Sequence, residues 1–149
     1  MESFEAHWGI SGGIFQTIAG SQLRGMELPC PPRISHELHL DEQGRAVLYE
    51  IEAKDQTKPI ILLAHGMGGC SESGYMKRIS TKLWMRGYGV FLINHRGSGP
   101  GMGLSSRLWN GGASDDLAKM IDFVIQRNPG KFLVPIGFSL SGNILLKYL

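Results

Sequence analysis

Three short runs of uninterrupted apolar residues constrain this chain more than anything else in it: Ile60–Ala64, Tyr88–Ile93 and Phe132–Ile136. A strand with one wet face alternates polar and apolar residues. A strand that is apolar throughout needs cover on both faces. Each run leads into a Gly-rich segment and then into helical periodicity. After the first run, Tyr75, Ile79 and Leu83 share one face of a helix over Tyr75–Arg86, with Gly87 at its C′ position. After the second, Ser114-Asp115-Asp116 reads as an N-cap and acidic first turn. Leu117, Met120, Ile121 and Val124 form its i, i+3, i+4, i+7 stripe, and Asn128-Pro129-Gly130 ends it. After the third, a helix starts at Leu140. This alternation predicts an α/β fold with a mostly parallel sheet. Ligands of such sheets sit outside the carboxyl ends of the strands, where the Gly-rich loops fall.

Upstream the pattern differs. Ile34, His36, Leu38 and Leu40 alternate with polar residues, Asp41-Glu42-Gln43-Gly44 reads as a turn, and Ala46–Ile51 as a return strand. An N-terminal antiparallel hairpin is expected, followed by a break at Thr57-Lys58-Pro59. Residues 1–32, with Gly12-Gly13, Gly20, Gly25 and Pro29-Cys30-Pro31-Pro32, read as an irregular arm. Fifteen Lys and Arg against 13 Asp and Glu leave a net charge of +2, too little to argue for nucleic acid or an anionic membrane. Cys30 and Cys70 are not in a CxxC arrangement and read as reduced thiols, with no metal or cofactor implied. The start, MESFEAHWGI, lacks a signal peptide's basic n-region, and no apolar run reaches the ~18 residues of a membrane span. A soluble, cytoplasmic protein is the expectation, with peripheral membrane contact left open.

The segment Gly137-Phe138-Ser139-Leu140-Ser141-Gly142-Asn143 joins the third strand to the third helix. That is the setting of a nucleophile elbow, G-x-S-x-G. Strand and helix nearly collide there, so the residues two before and two after the serine must be small. Gly137 meets the first requirement. Ser141 stands at the second position, with Gly142 relieving the next. Ser139 is the candidate nucleophile, and the helix N-terminus behind it favours negative charge developing on a substrate. The bland reading is a strand-to-helix turn with an N-capping serine. Ser141 is a poorer nucleophile candidate, because Ser139 and Asn143 flank it at the two-residue positions.

An oxyanion hole requires two backbone N–H groups. One falls to Leu140, the residue after the nucleophile. The other is assigned to Met67 in His65-Gly66-Met67-Gly68-Gly69, where glycines allow backbone to approach substrate. His65 is read as ordering this loop, and His95 in Asn94-His95-Arg96-Gly97-Ser98-Gly99 likewise. His7, His36 and His39 read as surface or packing residues. Arg96 is expected to pair with a carboxylate, with Asp115 and Asp116 as candidates. A dinucleotide site is the rival. Gly66-Met67-Gly68-Gly69-Cys70-Ser71 departs from G-x-G-x-x-[GA] at its last position, and Asn94 stands where an acid should bind ribose.

Taken together, these segments resemble the α/β-hydrolase superfamily, and within it the YheT-like branch of predicted esterases and lipases. Gly13-Ile14-Phe15-Gln16-Thr17-Ile18 is similar to the branch's N-terminal G-h-x-Q-T-h arm. His65 through Tyr75 resembles its HG-x-x-G…S-x-Y loop, Asn94–Gly99 its N-x-RG segment, and Asp116-Leu117 its D-L helix start. Gly137–Asn143 resembles its GFSLGGN elbow, departing from it at Ser141. The resemblance makes residues 33–149 the N-terminal part of an α/β-hydrolase domain. It implies a serine hydrolase of carboxylic esters, acylglycerols or other lipid esters included, acting through an acyl-enzyme on Ser139. Met67 and Leu140 would hold the oxyanion and a histidine oriented by a carboxylate would act as base.

On this fold the acid and histidine follow the nucleophile. The residues after Ser139 include no Asp, Glu or His. The sequence therefore predicts an incomplete domain ending just after the elbow, with the strand Phe132–Ile136 lacking a neighbour. The alternative is a truncated, catalytically incompetent fragment or a non-enzymatic partner-binding module. Thioesterase and acyltransferase chemistry on the same elbow also stay open.

Overall fold

In the computed structural model, residues 5, 8–9, 12–22 and 28–149 are described. His7 and Gly25 lie outside them. The elements run α1 (Gly13–Gln22), β1 (Ile34–Asp41), β2 (Gly44–Ile51), β3 (Ile60–Ala64), α2 (Gly74–Met85), β4 (Gly89–Asn94), α3 (Ser114–Arg127), β5 (Leu133–Gly137) and α4 (Leu140–Tyr148). A single 3₁₀ turn, Gly99–Gly101, interrupts the loop after β4.

The sheet order is β1-β2-β4-β3-β5. The β3, β4 and β5 strands are mutually parallel, while β2 pairs antiparallel with both β1 and β4. This is the expected parallel sheet with an N-terminal hairpin on one side. The strand at the other edge is β5, and Phe132 beside it is 87% exposed.

Period two divides the apolar runs between two cores. Leu62, Ala64, Phe91 and Ile93 face Leu117, Met120, Ile121 and Val124 of α3 and Ile144 of α4. Ile61, Leu63, Val90 and Leu92 face Met76 of α2 on the opposite side. Every residue of β3 and β4 is buried, which is why those strands do not alternate. The α2 helix ends in a Schellman arrangement. Gly87, at φ 93°, donates its N–H to Trp84 O and Tyr88 donates to Leu83 O. At the start of α3 the cap residue is Ala113, one before the expected Ser114, and no side chain caps it.

The arm needs a correction. Residues 1–32 are not irregular throughout, since Gly13–Gln22 is helical. Glycine weakens a helix by about 1 kcal/mol without forbidding it. Here Gly13 opens the helix, and the Thr17 hydroxyl donates back to its carbonyl at 2.8 Å. Ile14 and Phe15 remain 78% and 70% exposed. Among the described residues no helix is long and apolar enough to cross a membrane.

Arg96, just past β4, is 1% exposed and pairs with two carboxylates. Its Nε and Nη2 donate to Asp116 at 2.9 and 2.7 Å. Its Nη1 and Nη2 donate to Asp41 at 3.0 and 2.9 Å. Of the two aspartates expected, only Asp116 takes part, and Asp41 at the end of β1 is an addition. The exposed Asp115 belongs only to the helix's first turn. Asp116→Ala should therefore cost about 3 kcal/mol, the low end for a broken buried pair because Asp41 remains. Asp115→Ala should cost under about 1 kcal/mol, the scale of a helix-dipole contact. Urea unfolding of both variants checks this, and equal costs would contradict the pairing.

Candidate active site

The carboxyl ends of β3, β4 and β5 lie side by side, with Ala64 in register with both Ile93 and Gly137. The segments that follow therefore emerge at one end of the sheet: His65–Gly69, Asn94–Gly99 and Phe138–Ser139. Phe138 donates its N–H to Ala64 O at 3.0 Å, extending the β3–β5 ladder to the residue before Ser139.

Ser139 is exposed, with φ 53° and ψ −121°. Among the described residues it is the only non-glycine with positive φ. Such a conformation costs about 1–3 kcal/mol and persists only where its surroundings enforce it. The enforcement is visible at Gly137. A Cβ there would lie 2.5 Å from Ser141 O, 2.6 Å from Ser141 C and 2.7 Å from Gly142 N. Strand and helix backbones almost touch, and the chain turns between them at Ser139.

The His65 loop abuts the elbow. A Cβ on Gly66 would come 3.2 Å from Ser139 Cβ and 3.3 Å from Phe138 O. The loop's own N–H groups are mostly spoken for. Gly66 donates to the Tyr75 hydroxyl at 2.9 Å, Gly69 to Gly66 O at 3.1 Å, Cys70 to Ser73 Oγ at 3.0 Å and Ser71 to Asn94 Oδ1 at 2.8 Å. No acceptor among the described residues takes the N–H of Met67 or Gly68, and Leu140 N–H is likewise without one. The Met67 side chain points outward, 78% exposed.

The two histidines at this end of the sheet are held by hydrogen bonds within the protein. His65 Nε2 accepts the His95 backbone N–H at 3.2 Å, so its proton sits on Nδ1, which donates to Gly66 O at 2.8 Å. The Ser141 hydroxyl donates to His65 O, so His95 must donate from Nε2 to Ser141 Oγ, at 2.6 Å. That tautomer leaves His95 Nδ1 buried with no partner among the described residues. Burial holds the His65 ring below the usual histidine range. Burial first, and the repulsion a second imidazolium at His65 would add, push His95 down to about 3. The Trp109 ring stacks on His95 at 4.1 Å between centroids, and the Trp109 backbone N–H donates to Arg96 O at 3.4 Å. Of the residues outside the loop, His36 lies half-buried against Glu50 at 2.7 Å and His39 is exposed on β1.

Ser139, Met67, Leu140, Gly66, Gly137 and Gly142 are thus brought together, with His65 beneath them. Sequence reasoning missed the acceptors Tyr75, Ser73 and Asn94, and the bridge made by Ser141. The Tyr75 and Ser73 positions were visible as the S-x-Y of the loop motif, without a role.

This architecture, an elbow at the end of a parallel strand beside a Gly-rich loop, defines an α/β hydrolase. Residues 55–149 match the Hydrolase_4 family, described as serine aminopeptidase, S33, and the chain belongs to that family. A zebrafish (Danio rerio) protein described as monoacylglycerol lipase ABHD2 is 30% identical over 147 residues, covering 95% of this chain and 34% of that protein. The Drosophila melanogaster abhydrolase domain-containing protein 2 is 26% identical over 95% of this chain and 36% of its own length. The chain thus spans about a third of these relatives. Among solved structures, a lidless α/β serine hydrolase from Xanthomonas campestris superposes with a TM-score of 0.64 at 19% identity, over 80% of this chain and 57% of that one. The Pyrococcus furiosus esterase Pf2001 gives 0.63 at 17% identity, over 78% and 46%.

Two outcomes follow from the geometry. Gly137→Ala forces backbone apart at the elbow, and should destabilise the fold by about 2–4 kcal/mol, the range of severe core strain. Gly130→Ala, whose added Cβ meets nothing within 4 Å but at φ 77°, should cost about 1 kcal/mol. Thermal unfolding separates the two. The depressed histidines set a pH dependence as well. Their neutral forms are favoured in the fold, so stability is complete above the unfolded value near 6.5 and falls as pH drops towards 3. For His95 the slope should approach about 1.4 kcal/mol per pH unit, with His65 adding in the same direction. Urea midpoints from pH 7 to 5 measure it, and His95→Gln should flatten the slope.

Proposed function

We propose that Ser139 is the nucleophile of a serine hydrolase acting on carboxylic esters, lipid esters such as acylglycerols among them. The observation that carries this reading is the backbone of Ser139, an exposed serine held at φ 53° between a strand end and a helix start. The crowding of Gly137 against Ser141 and Gly142 holds the serine in this conformation. That turn leaves an exposed serine at the N-terminus of α4, the position from which a hydroxyl can attack a carbonyl. Membership of a hydrolase family and the lipase relatives support the same chemistry, and the latter favour an ester over the amide of the family's description.

In this mechanism Ser139 Oγ attacks the ester carbonyl, its proton passes to a general base, and the alcohol leaves as the acyl-enzyme forms. The N–H groups of Met67 and Leu140 receive the charge on the carbonyl oxygen. Neither His65 nor His95 suits the base. Both His65 nitrogens are engaged, and His95 is buried with Nε2 on Ser141.

The test is labelling of the full-length gene product with a fluorophosphonate, alongside turnover of a p-nitrophenyl ester and a monoacylglycerol. Ser139→Ala should abolish the label and lower turnover by at least about 10³-fold. Undiminished labelling of that variant overturns the assignment.

A further inference from the structure

Ser141 occupies the elbow position where the motif it resembles has glycine, and the fold puts its hydroxyl to use. The side chain is fully buried, and its hydroxyl joins three elements. It sits in the first turn of α4, donates to the carbonyl of His65 at the end of β3, and accepts from His95 Nε2 just beyond β4. These partners are 76 and 46 residues away in sequence. His65 O belongs to the peptide that enters Gly66, and Gly66 lies against Ser139. The hydroxyl therefore ties the loop carrying the Met67 N–H to the helix carrying the Leu140 N–H.

The His95 ring shows that this bond is specified. Its other tautomer would give Nε2 a lone pair facing Ser141 Oγ, whose only proton is already directed to His65 O. The ring instead keeps its proton on Nε2 and leaves Nδ1 as an unpartnered buried acceptor. Trp109 stacked at 12° fixes the ring plane, and His95 N–H anchors to His65 Nε2. Each of these contacts orients His95 toward Ser141, and each is closed within the protein.

We propose that Ser141 is a positioning residue that locks the oxyanion loop to the nucleophile elbow, so that the Met67 and Leu140 N–H groups converge on the same point above Ser139. The role rests on the reading of Ser139 as nucleophile. Glycine at this position satisfies the turn but supplies no lock. Ser141→Gly keeps a residue the turn accepts while leaving His65 O and His95 Nε2–H without their Ser141 partner.

The experiment uses the full-length gene product and the variants Ser141→Gly and Ser141→Ala. Turnover of p-nitrophenyl butyrate is expressed per site titrated with fluorophosphonate. For Ser141→Gly, kcat should fall about 10-fold, less than the about 10²–10³ for outright loss of an oxyanion donor, with KM within about 2-fold. Hydrogen exchange gives a readout independent of chemistry. The bonded amides of Gly66 and Gly69 should exchange at least about 10-fold faster, while those of β1, β2 and the distal part of α3 keep their rates. Ser141→Ala should move in the same direction. Wild-type kcat per site, or exchange that rises equally throughout the fold, overturns the proposal. Ser139→Ala keeps the two readings apart. If that variant still labels and turns over, the nucleophile assignment falls, and the exchange data alone then decide whether Ser141 holds the loop.

Discussion

A buried guanidinium organises the functional end of this sheet. Arg96 carries a permanent charge at 1% exposure, which would cost several kcal/mol if left unpaired. Its two carboxylates come from β1 and α3, 55 and 20 residues away, so satisfying it ties hairpin, sheet and helix together. Both contacts are two-pronged, which fixes direction as well as distance. The same residue's carbonyl accepts the Trp109 N–H, and Trp109 covers His95. A continuous path of contacts therefore runs from the paired charge, through an aromatic stack, to the histidine beneath the elbow. The net worth of such a pair against an apolar replacement is small. What it contributes is placement: the loop after β4 has little regular structure of its own and three glycines at positive φ.

The elbow answers to a different force. Its strain comes from backbone crowding between Gly137 and Ser141, and it survives because both sides are anchored. The β5 strand is held by its register on β3, and α4 by Ile144 in the core shared with α3. Burial keeps the histidines nearby neutral, so neither competes as a cation near Ser139. The polarity left around Ser139 is that of amide dipoles: the α4 N-terminus and the open N–H groups of the loop. Fixed dipoles of this kind stabilise an anion without reorganising as the charge appears.

Elements that depend on local pattern were legible in the sequence. The apolar runs Ile60–Ala64 and Tyr88–Ile93 announced strands covered on both faces, whereas the third run, expected to be buried as well, forms the partly exposed edge strand β5; the stripe from Leu117 to Val124 announced the inner face of α3, and Gly137 with Ser139 announced the turn between strand and helix. What escaped was of two kinds. The α1 helix was hidden because Gly12, Gly13 and Gly20 read as punctuation, although a glycine near a helix end is only a modest penalty. The rest involves pairs far apart in sequence. Asp41 as a partner of Arg96, Asn94 as the acceptor for Ser71, and Ser141 as the link between two histidines depend on which strand lies beside which. The order β1-β2-β4-β3-β5 is not written in any single window.

The loop motif shows how pattern and topology meet. Ser73 and Tyr75 are spaced so that one turn of chain returns their hydroxyls to Cys70 N–H and Gly66 N–H. Asn94, from the neighbouring strand, takes Ser71 N–H and passes its own amide proton to Val47 O on the next strand across. Each of these polar residues satisfies a donor that would otherwise compete for a bound oxygen or collapse the loop inward. By subtraction, the N–H groups of Met67 and Gly68 are left facing away from every protein acceptor described, and Gly68 at φ 71° turns the chain in a way that a side chain would resist. A buried donor without a partner is costly, but an exposed one is satisfied by water until a better acceptor arrives. The loop is therefore built less to make contacts than to hold two of its N–H groups out of them. That is the property an oxyanion site needs, and it accounts for the conjunction of glycines and short polar residues in this stretch better than flexibility would.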